Sequence, residues 1–297
     1  MFVEIRRQGK KSKYYLVHSF RIGSSVRRIS RYLGSDLDQK TLEKLKSRAE
    51  AIILEQIKEH NPLEFELTPD EIKSYKDFEK KIEIEHFHTD WNRFTKEFVY
   101  NTNAIEGSTV EYPEVKKLID KKELPRDNDE IETVEVAKAI EYLKNYKGKL
   151  SINLIKKLHF ICFGKTKHFA GEFRNVEVVV KDGAGNIIHQ GAPAQYVKNL
   201  LEDLVRWYNN HAKRYPPLLI AALLHNQFEK IHPFQDGNGR VGRLLLNYSL
   251  LFNKYPPLNI GLKDRMKYYE ALQKFDRSGD IKSTLKFLIS QYRKQYR

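Results

Sequence analysis

One cysteine, two tryptophans, two methionines and no apolar run approaching the roughly 18 residues that cross a bilayer set the first limits on this 297-residue chain. A lone Cys162 excludes an intrachain disulfide framework, and its setting, INLIKKLHFICF, is the apolar face of a helix. A buried, inert thiol in a reducing compartment is expected there. The basic start, MFVEIRRQGKKSKYY, has no apolar segment behind it of the kind that directs export. A cytoplasmic protein with no membrane contact is the expectation. Acidic residues are also scarce relative to basic ones, 39 against 53, which leaves a formal charge of +14.

That charge is uneven. Met1 to Gly34 holds nine Lys or Arg (Arg6, Arg7, Lys10, Lys11, Lys13, Arg21, Arg27, Arg28 and Arg31) against the single acid Glu4. A patch of this kind is the electrostatic footprint of a nucleic acid or other polyanion partner, with a solvated basic face as the plainer reading.

The periodicity changes along the chain. Three β-patterned runs, Phe2 to Arg7, Tyr14 to Arg21 and Val26 to Leu33, are separated by Gly9-Lys10-Lys11 and Gly23-Ser24-Ser25 and predict a small antiparallel meander. Asp38 to Glu59 is helical, with Leu42, Leu45, Ala49, Ile52 and Ile53 on one stripe, and Asn61-Pro62 interrupts it. The expected division is therefore an accessory domain over 1–61 and a main domain over 62–297. From Thr68-Pro69-Asp70-Glu71, a capping signal, the chain is almost wholly helical, and the fold class is mainly α. One helical segment is expected from Pro69 to near Glu106. Helices follow near 111–121, 129–146, 151–163, 193–211, 216–231, 238–252, 263–275 and 281–296. The exception is a hairpin over 176–190, with strands Val176–Val180 and Asn186–Gln190 about the turn Lys181-Asp182-Gly183-Ala184-Gly185.

Chemistry concentrates in His232-Pro233-Phe234-Gln235-Asp236-Gly237-Asn238-Gly239-Arg240-Val241-Gly242-Arg243, which joins two helices. A glycine-bearing loop that opens a helix aims backbone N–H groups at one point, an anion nest reinforced by the helix dipole. Asp236 offers a hard oxygen for Mg²⁺ bridging nucleotide phosphates. Arg240 and Arg243, three apart and so on one face, can clamp phosphate oxygens. His232, with an ordinary pKa of about 6.5, can accept a proton from a hydroxyl. Phe234 is an anchor that packs the loop on the core. Singly, each of these is a common structural residue; twelve consecutive positions carrying all of them are not.

This string matches the signature HPFx(D/E)GNGRxxR of the Fic family, and the resemblance extends over roughly Glu64 to Arg297. Gly171-Glu172-Phe173-Arg174 and the hairpin after it resemble the family's flap. Tyr268-Tyr269-Glu270-Ala271-Leu272 resembles a later helix with a tyrosine near adenine. The resemblance implies transfer of AMP from ATP to a Ser, Thr or Tyr hydroxyl of a protein. His232 would be the general base, Asp236 the Mg²⁺ ligand, and Gly237, Asn238 and Gly239 the phosphate nest. Arg240 and Arg243 would complete the clamp, Tyr268 and Tyr269 would lie at the nucleotide, and the target would dock on the flap hairpin by strand addition.

Upstream, Thr102-Asn103-Ala104-Ile105-Glu106-Gly107 matches the pattern (S/T)xxxE(G/N), the inhibitory motif of one class of the family. Glu106 would form a bidentate pair with Arg243 and keep it from the γ-phosphate. Two alternatives stay open: removal of AMP or transfer of another phosphate-containing group by the same fold, and a nucleic-acid-binding regulator acting through the basic N-terminal region.

Overall fold

Alternation of apolar and polar residues builds the first of two compact units, Met1–Glu64 and Phe65–Arg297. The structure, a computed structural model, describes residues 1–9, 11–22, 25–60, 67–80, 82, 87–181, 185 and 187–296. The expected break at Asn61-Pro62 and most of the turns at Lys10, Gly23-Ser24 and 182–184 lie outside them.

In the first unit, β1 (Phe2–Gln8), β2 (Lys11–Ile22) and β3 (Ser25–Ser35) form an antiparallel sheet in that order, followed by α1 (Gln39–His60). β2 and β3 run longer than the β-patterned runs at both ends, and β1 by Gln8, because backbone pairing continues beyond the alternating residues. Cross-strand pairs Val3↔Leu16 and His18↔Ile29 place alternate residues on the α1 side, where Leu16, Leu33, Ala49 and Ile53 make the core. On the other face, Arg6 lies 4.3 Å over the Tyr15 ring, Tyr15 meets Tyr32 at 5.3 Å, and Arg28 pairs with Glu4.

The second unit is helical: α2 (Pro69–Glu79), α3 (Trp91–Ile105), α4 (Tyr112–Asp120), α5 (Asn128–Asn145) and α6 (Ile152–Phe163), then the hairpin β4 (Val179–Lys181) and β5 (Ile187–Gln190). α7 (Val197–His211), α8 (Pro217–Ile231), α9 (Asn238–Phe252), α10 (Arg265–Ser278) and α11 (Ile281–Gln295) complete it. Every residue of α8 from Leu218 to Phe228 is buried, so this mostly apolar helix, covered on all sides, is the axis on which α7, α9, α10 and α11 pack. Cys162 is buried on α6, which pushes its thiol up to about 12, so it is an inert thiol.

Two expectations need correction. Among the described residues the segment from Pro69 to Glu106 holds two separate helices, α2 and α3, and Asp90 starts the second by accepting a hydrogen bond from Arg93 N at 3.0 Å. No Pro or Gly marks that break, and the cap is its only signal in the sequence. The first hairpin strand also starts later than expected, at Val179 rather than Val176. Val176 O accepts from Arg174 Nη1 at 2.8 Å and is drawn away from a ladder.

Candidate active site

The site begins where α8 ends. Pro233 disfavours a helical conformation at the residue before it, and His232 turns into the left-handed region at φ 52°, ψ 63°. That conformation costs a non-glycine residue about 1–2 kcal/mol, and buried Arg174 holds it. Its Nε donates to His232 O at 2.6 Å, its Nη2 to Ile231 O at 3.2 Å and to Ala192 O, and its backbone N to Pro233 O at 2.9 Å. Sequence reading placed Arg174 in the flap resemblance without a role. The loop is then pinned from inside. Asn238 Oδ1 accepts from Phe234 N at 2.8 Å and its Nδ2 donates to Phe234 O at 2.9 Å, while the fully buried Phe234 ring stacks on His159 at 3.8 Å. His159 Nδ1 accepts from Gly171 N, so its Nε2 carries the hydrogen that Asp236 O accepts at 3.0 Å. Burial pushes His159 down to about 4, and it stays neutral.

Gly237 (φ 80°) turns the chain into α9, whose first turn leaves the N–H groups of Asn238, Gly239 and Arg240 without intrahelical acceptors. Asn238, Gly239 and His232 open on one cavity of about 880 Å³, also lined by Asp236, Arg243, Tyr268 and Tyr269. Val179, Val180 and His189 of the flap close one side of it. Asn238 therefore contributes backbone to the cavity mouth, its side chain being committed to the loop.

Arg243 is 2% exposed and firmly held: Nε donates to Thr102 Oγ1 at 2.7 Å, and Nη2 donates to Thr102 O at 3.0 Å and to Glu106 Oε1 at 2.7 Å. The contact with Glu106 is thus a single charge-assisted bond rather than the bidentate pair expected, because Thr102 takes Nε and shares Nη2 with Glu106. Burial opposes the arginine's charge, yet Glu106 keeps its pKa above the ordinary value. Glu106 is the C-cap of α3 and reaches α9 at Gly239, where a Cβ would overlap its Oε1. Nη1 of Arg243 is buried with no hydrogen-bond partner among the described residues.

Arg240 departs from expectation. It pairs with Glu132 of α5, lies 4.4 Å over the Phe163 ring, and does not line the cavity. The two guanidinium groups point to different helices and do not converge on one anion. Glu132 also meets Lys167 at 3.3 Å, and Lys167 bonds Asp236 Oδ2 at 2.8 Å. Burial works against Asp236's charge, but Lys167 outweighs it and keeps the carboxyl below its ordinary range. One ionised, half-exposed carboxylate at the rim of an anion-binding turn fits Mg²⁺, which takes one or two carboxylates and draws its remaining ligands from phosphate and water. Among the described residues no group of three or more His, Cys, Asp or Glu could hold a metal without such help.

Burial and the neighbouring His189 push His232 down to about 4, so its imidazole is neutral. Its Nδ1 lies 3.3 Å from Glu229 O, which leaves Nε2 as the ring's acceptor. His189 of β5 stands 5.4 Å away, ring to ring, and its Nδ1 meets Asp276 Oδ2 at 2.8 Å. Tyr268, 2% exposed, bonds His225 Nε2 at 2.9 Å, and Tyr269 Oη donates to Ile105 O at 3.2 Å, so both rings are fixed at the cavity wall. Glu132, Lys167, Glu229, His189 and Asp276 carried no sequence signal, since each acts through a partner distant in the chain or through a turn of helix outside the motif.

A neutral imidazole, a helix N-terminus and a restrained arginine lie around one cavity, an arrangement whose chemistry suits a phosphorylated ligand. Residues 149–250 match the model of the Fic/DOC family. The chain is 32% identical over 198 residues to the protein adenylyltransferase Fic of Drosophila ananassae, which covers 64% of this chain and 38% of that protein. The same-named protein of Drosophila melanogaster matches at 32%, over 64% and 39%. Among solved structures, a Fic domain containing signaling protein from Bacteroides thetaiotaomicron has a TM-score of 0.62 at 26% identity and covers 74% of this chain and 90% of that one. A Fic family protein from Desulfovibrio desulfuricans, with a TM-score of 0.63 at 24% identity over 77% and 74%, shares the fold. Residues 149–250 thus carry a domain similar to the Fic/DOC family. It spans about two fifths of the length of the Drosophila proteins. No helix among the described residues is long and apolar enough to cross a membrane.

Proposed function

We propose that this protein transfers AMP from ATP to a Ser, Thr or Tyr hydroxyl of a target protein or of itself, and that Glu106 restrains the reaction. The observation that carries the reading is the convergence of His232 Nε2, the N-terminus of α9 and Arg243 on one cavity. ATP sits with its phosphates against the N–H groups of Asn238 and Gly239 and its base near Tyr268 and Tyr269. Asp236 would hold Mg²⁺, which when bound would supply charge neutralisation for those phosphates. The acceptor hydroxyl, registered along β4 and β5, gives its proton to His232 Nε2 as its oxygen bonds to the α-phosphorus and the bond to pyrophosphate breaks. Arg243 reaches the phosphates only after leaving Glu106. Incubation of the purified protein with α-labelled and γ-labelled ATP tests this: α-label enters protein and γ-label does not. AMP removal by the same site gives the opposite result, release of AMP from a labelled target.

A second reading concerns the N-terminal unit alone and rests on the open face of its sheet, where Arg6 and Arg28, each about half exposed, flank the Tyr15–Tyr32 pair. We propose that this face binds nucleic acid. Cations contact phosphates and tyrosines stack on bases. Full-length protein with Arg6→Glu and Arg28→Glu should lose binding to a labelled oligonucleotide, and wild-type affinity should fall steeply with salt. Salt-independent or absent wild-type binding refutes it.

A further inference from the structure

One acid beside His232 has no part in the reaction so far. Glu229 lies one helical turn before His232 on α8 and lines the same cavity. Its Oε2 is 4.0 Å from His232 Nδ1, and its Oε1 is buried without a hydrogen-bond partner among the described residues. The carboxyl is wedged against α9 at Gly242, where a Cβ would overlap Oε1, so only glycine leaves room for it. A long acidic side chain would otherwise turn to solvent from the end of a helix; here the packing directs it to the back of the imidazole.

Resting on the AMP-transfer reading, we propose that Glu229 is a positioning residue for His232: its carboxylate holds the Nδ1–H tautomer and offsets the charge the ring gains. When Nε2 takes the proton of the acceptor hydroxyl, as the new P–O bond forms and pyrophosphate leaves, the imidazolium is stabilised by a carboxylate 4.0 Å from its other nitrogen. The backbone carbonyl at 3.3 Å orients the ring but supplies no full charge. The need for a counter-charge is visible in the ring's own setting, because burial and His189 disfavour its cationic form.

The same burial raises Glu229 to about 8. Arg243 on α9 favours its ionised form, while Glu106 on α3 and Asp276 on α10 oppose it. His225 on its own helix is neutral, and Tyr268 on α10 and His189 on the flap complete the surroundings. Glu229 therefore acts as an ionised partner only as pH rises through about 8, and removal of Glu106 moves that threshold down.

Two readouts test the assignment in the full chain. The first needs no turnover: ¹⁵N shifts of the His232 ring should step across pH 7–9 as Glu229 ionises and strengthens the Nδ1–H tautomer that the backbone carbonyl already favours, and Glu229→Gln should remove the step. Absence of the step in wild type, or its survival in Glu229→Gln, overturns the proposal. The second is kinetic. In the Glu106→Gly background, Glu229→Gln should lower kcat for AMP transfer at pH 8 at least tenfold, flatten the alkaline rise, and leave KM for ATP within about twofold, with Glu229→Asp intermediate. An unchanged kcat and pH profile overturns it. A tautomer step with no AMP transfer in any variant supports the positioning of His232 and refutes the transferase reading instead.

Discussion

Replacing Glu106 with Gly separates the two consequences of a buried ion pair. Arg243 has 2% of its side chain exposed and Glu106 31%, and they share one 2.7 Å bond. Deleting one partner of a buried pair costs about 3–5 kcal/mol because the other charge is left uncompensated. Here the cost should lie below that range, about 2 kcal/mol, since Arg243 keeps both bonds to Thr102 and Glu106 is partly solvated. Activity should move the other way. For Arg243 to reach a phosphate it must give up a charge-assisted bond worth about 1.5–3 kcal/mol, so its release should raise AMP transfer roughly 10- to 100-fold. The assay compares incorporation of α-labelled ATP by wild type, Glu106→Gly, Arg243→Ala and the double variant, with melting temperatures alongside. Arg243→Ala should abolish the gain, making the pair strongly non-additive. A folded Glu106→Gly protein that labels no better than wild type would refute the restraint.

Arg174→Met should cut AMP transfer about 100-fold or more and lower the melting temperature, because the guanidinium's four bonds to backbone carbonyls are lost, two of them on the turn at Ile231 and His232; Arg174→Lys, with a single ammonium, should not restore it. Transfer within a few-fold of wild type in Arg174→Met would remove that role. Asp236→Ala should raise the Mg²⁺ concentration needed for half-maximal transfer, and Lys167→Ala should lower it by freeing Asp236. An unchanged Mg²⁺ titration in Asp236→Ala would assign the metal to another group.

The helical body and the linear motif were legible because each is local: α9 begins at Asn238 and ends at Phe252 as its capping glycine and periodicity imply. The proximity of Glu106 to Arg243, 137 residues apart, was legible only through a known pattern. Arg240 shows where local reasoning stops. Its position on the helix is correct, but its direction is decided by Glu132 on α5, 108 residues away. The same holds for Arg174, whose partners are backbone carbonyls and so leave no trace in residue type, and for His189–Asp276, which joins the flap to α10. The break before α3 was missed because Thr89-Asp90 caps a helix without any residue that ends one.

The central claim is that His232 takes the proton from an acceptor hydroxyl as AMP leaves ATP. It is tested most directly by following protein labelling from α-labelled and γ-labelled ATP in Glu106→Gly with and without His232→Ala, while ATP affinity is measured by calorimetry. The account predicts that α-label enters protein, γ-label does not, and His232→Ala lowers incorporation by about 100-fold or more with ATP affinity nearly unchanged. Incorporation of γ-label, or transfer by His232→Ala within about tenfold of its parent, would contradict it.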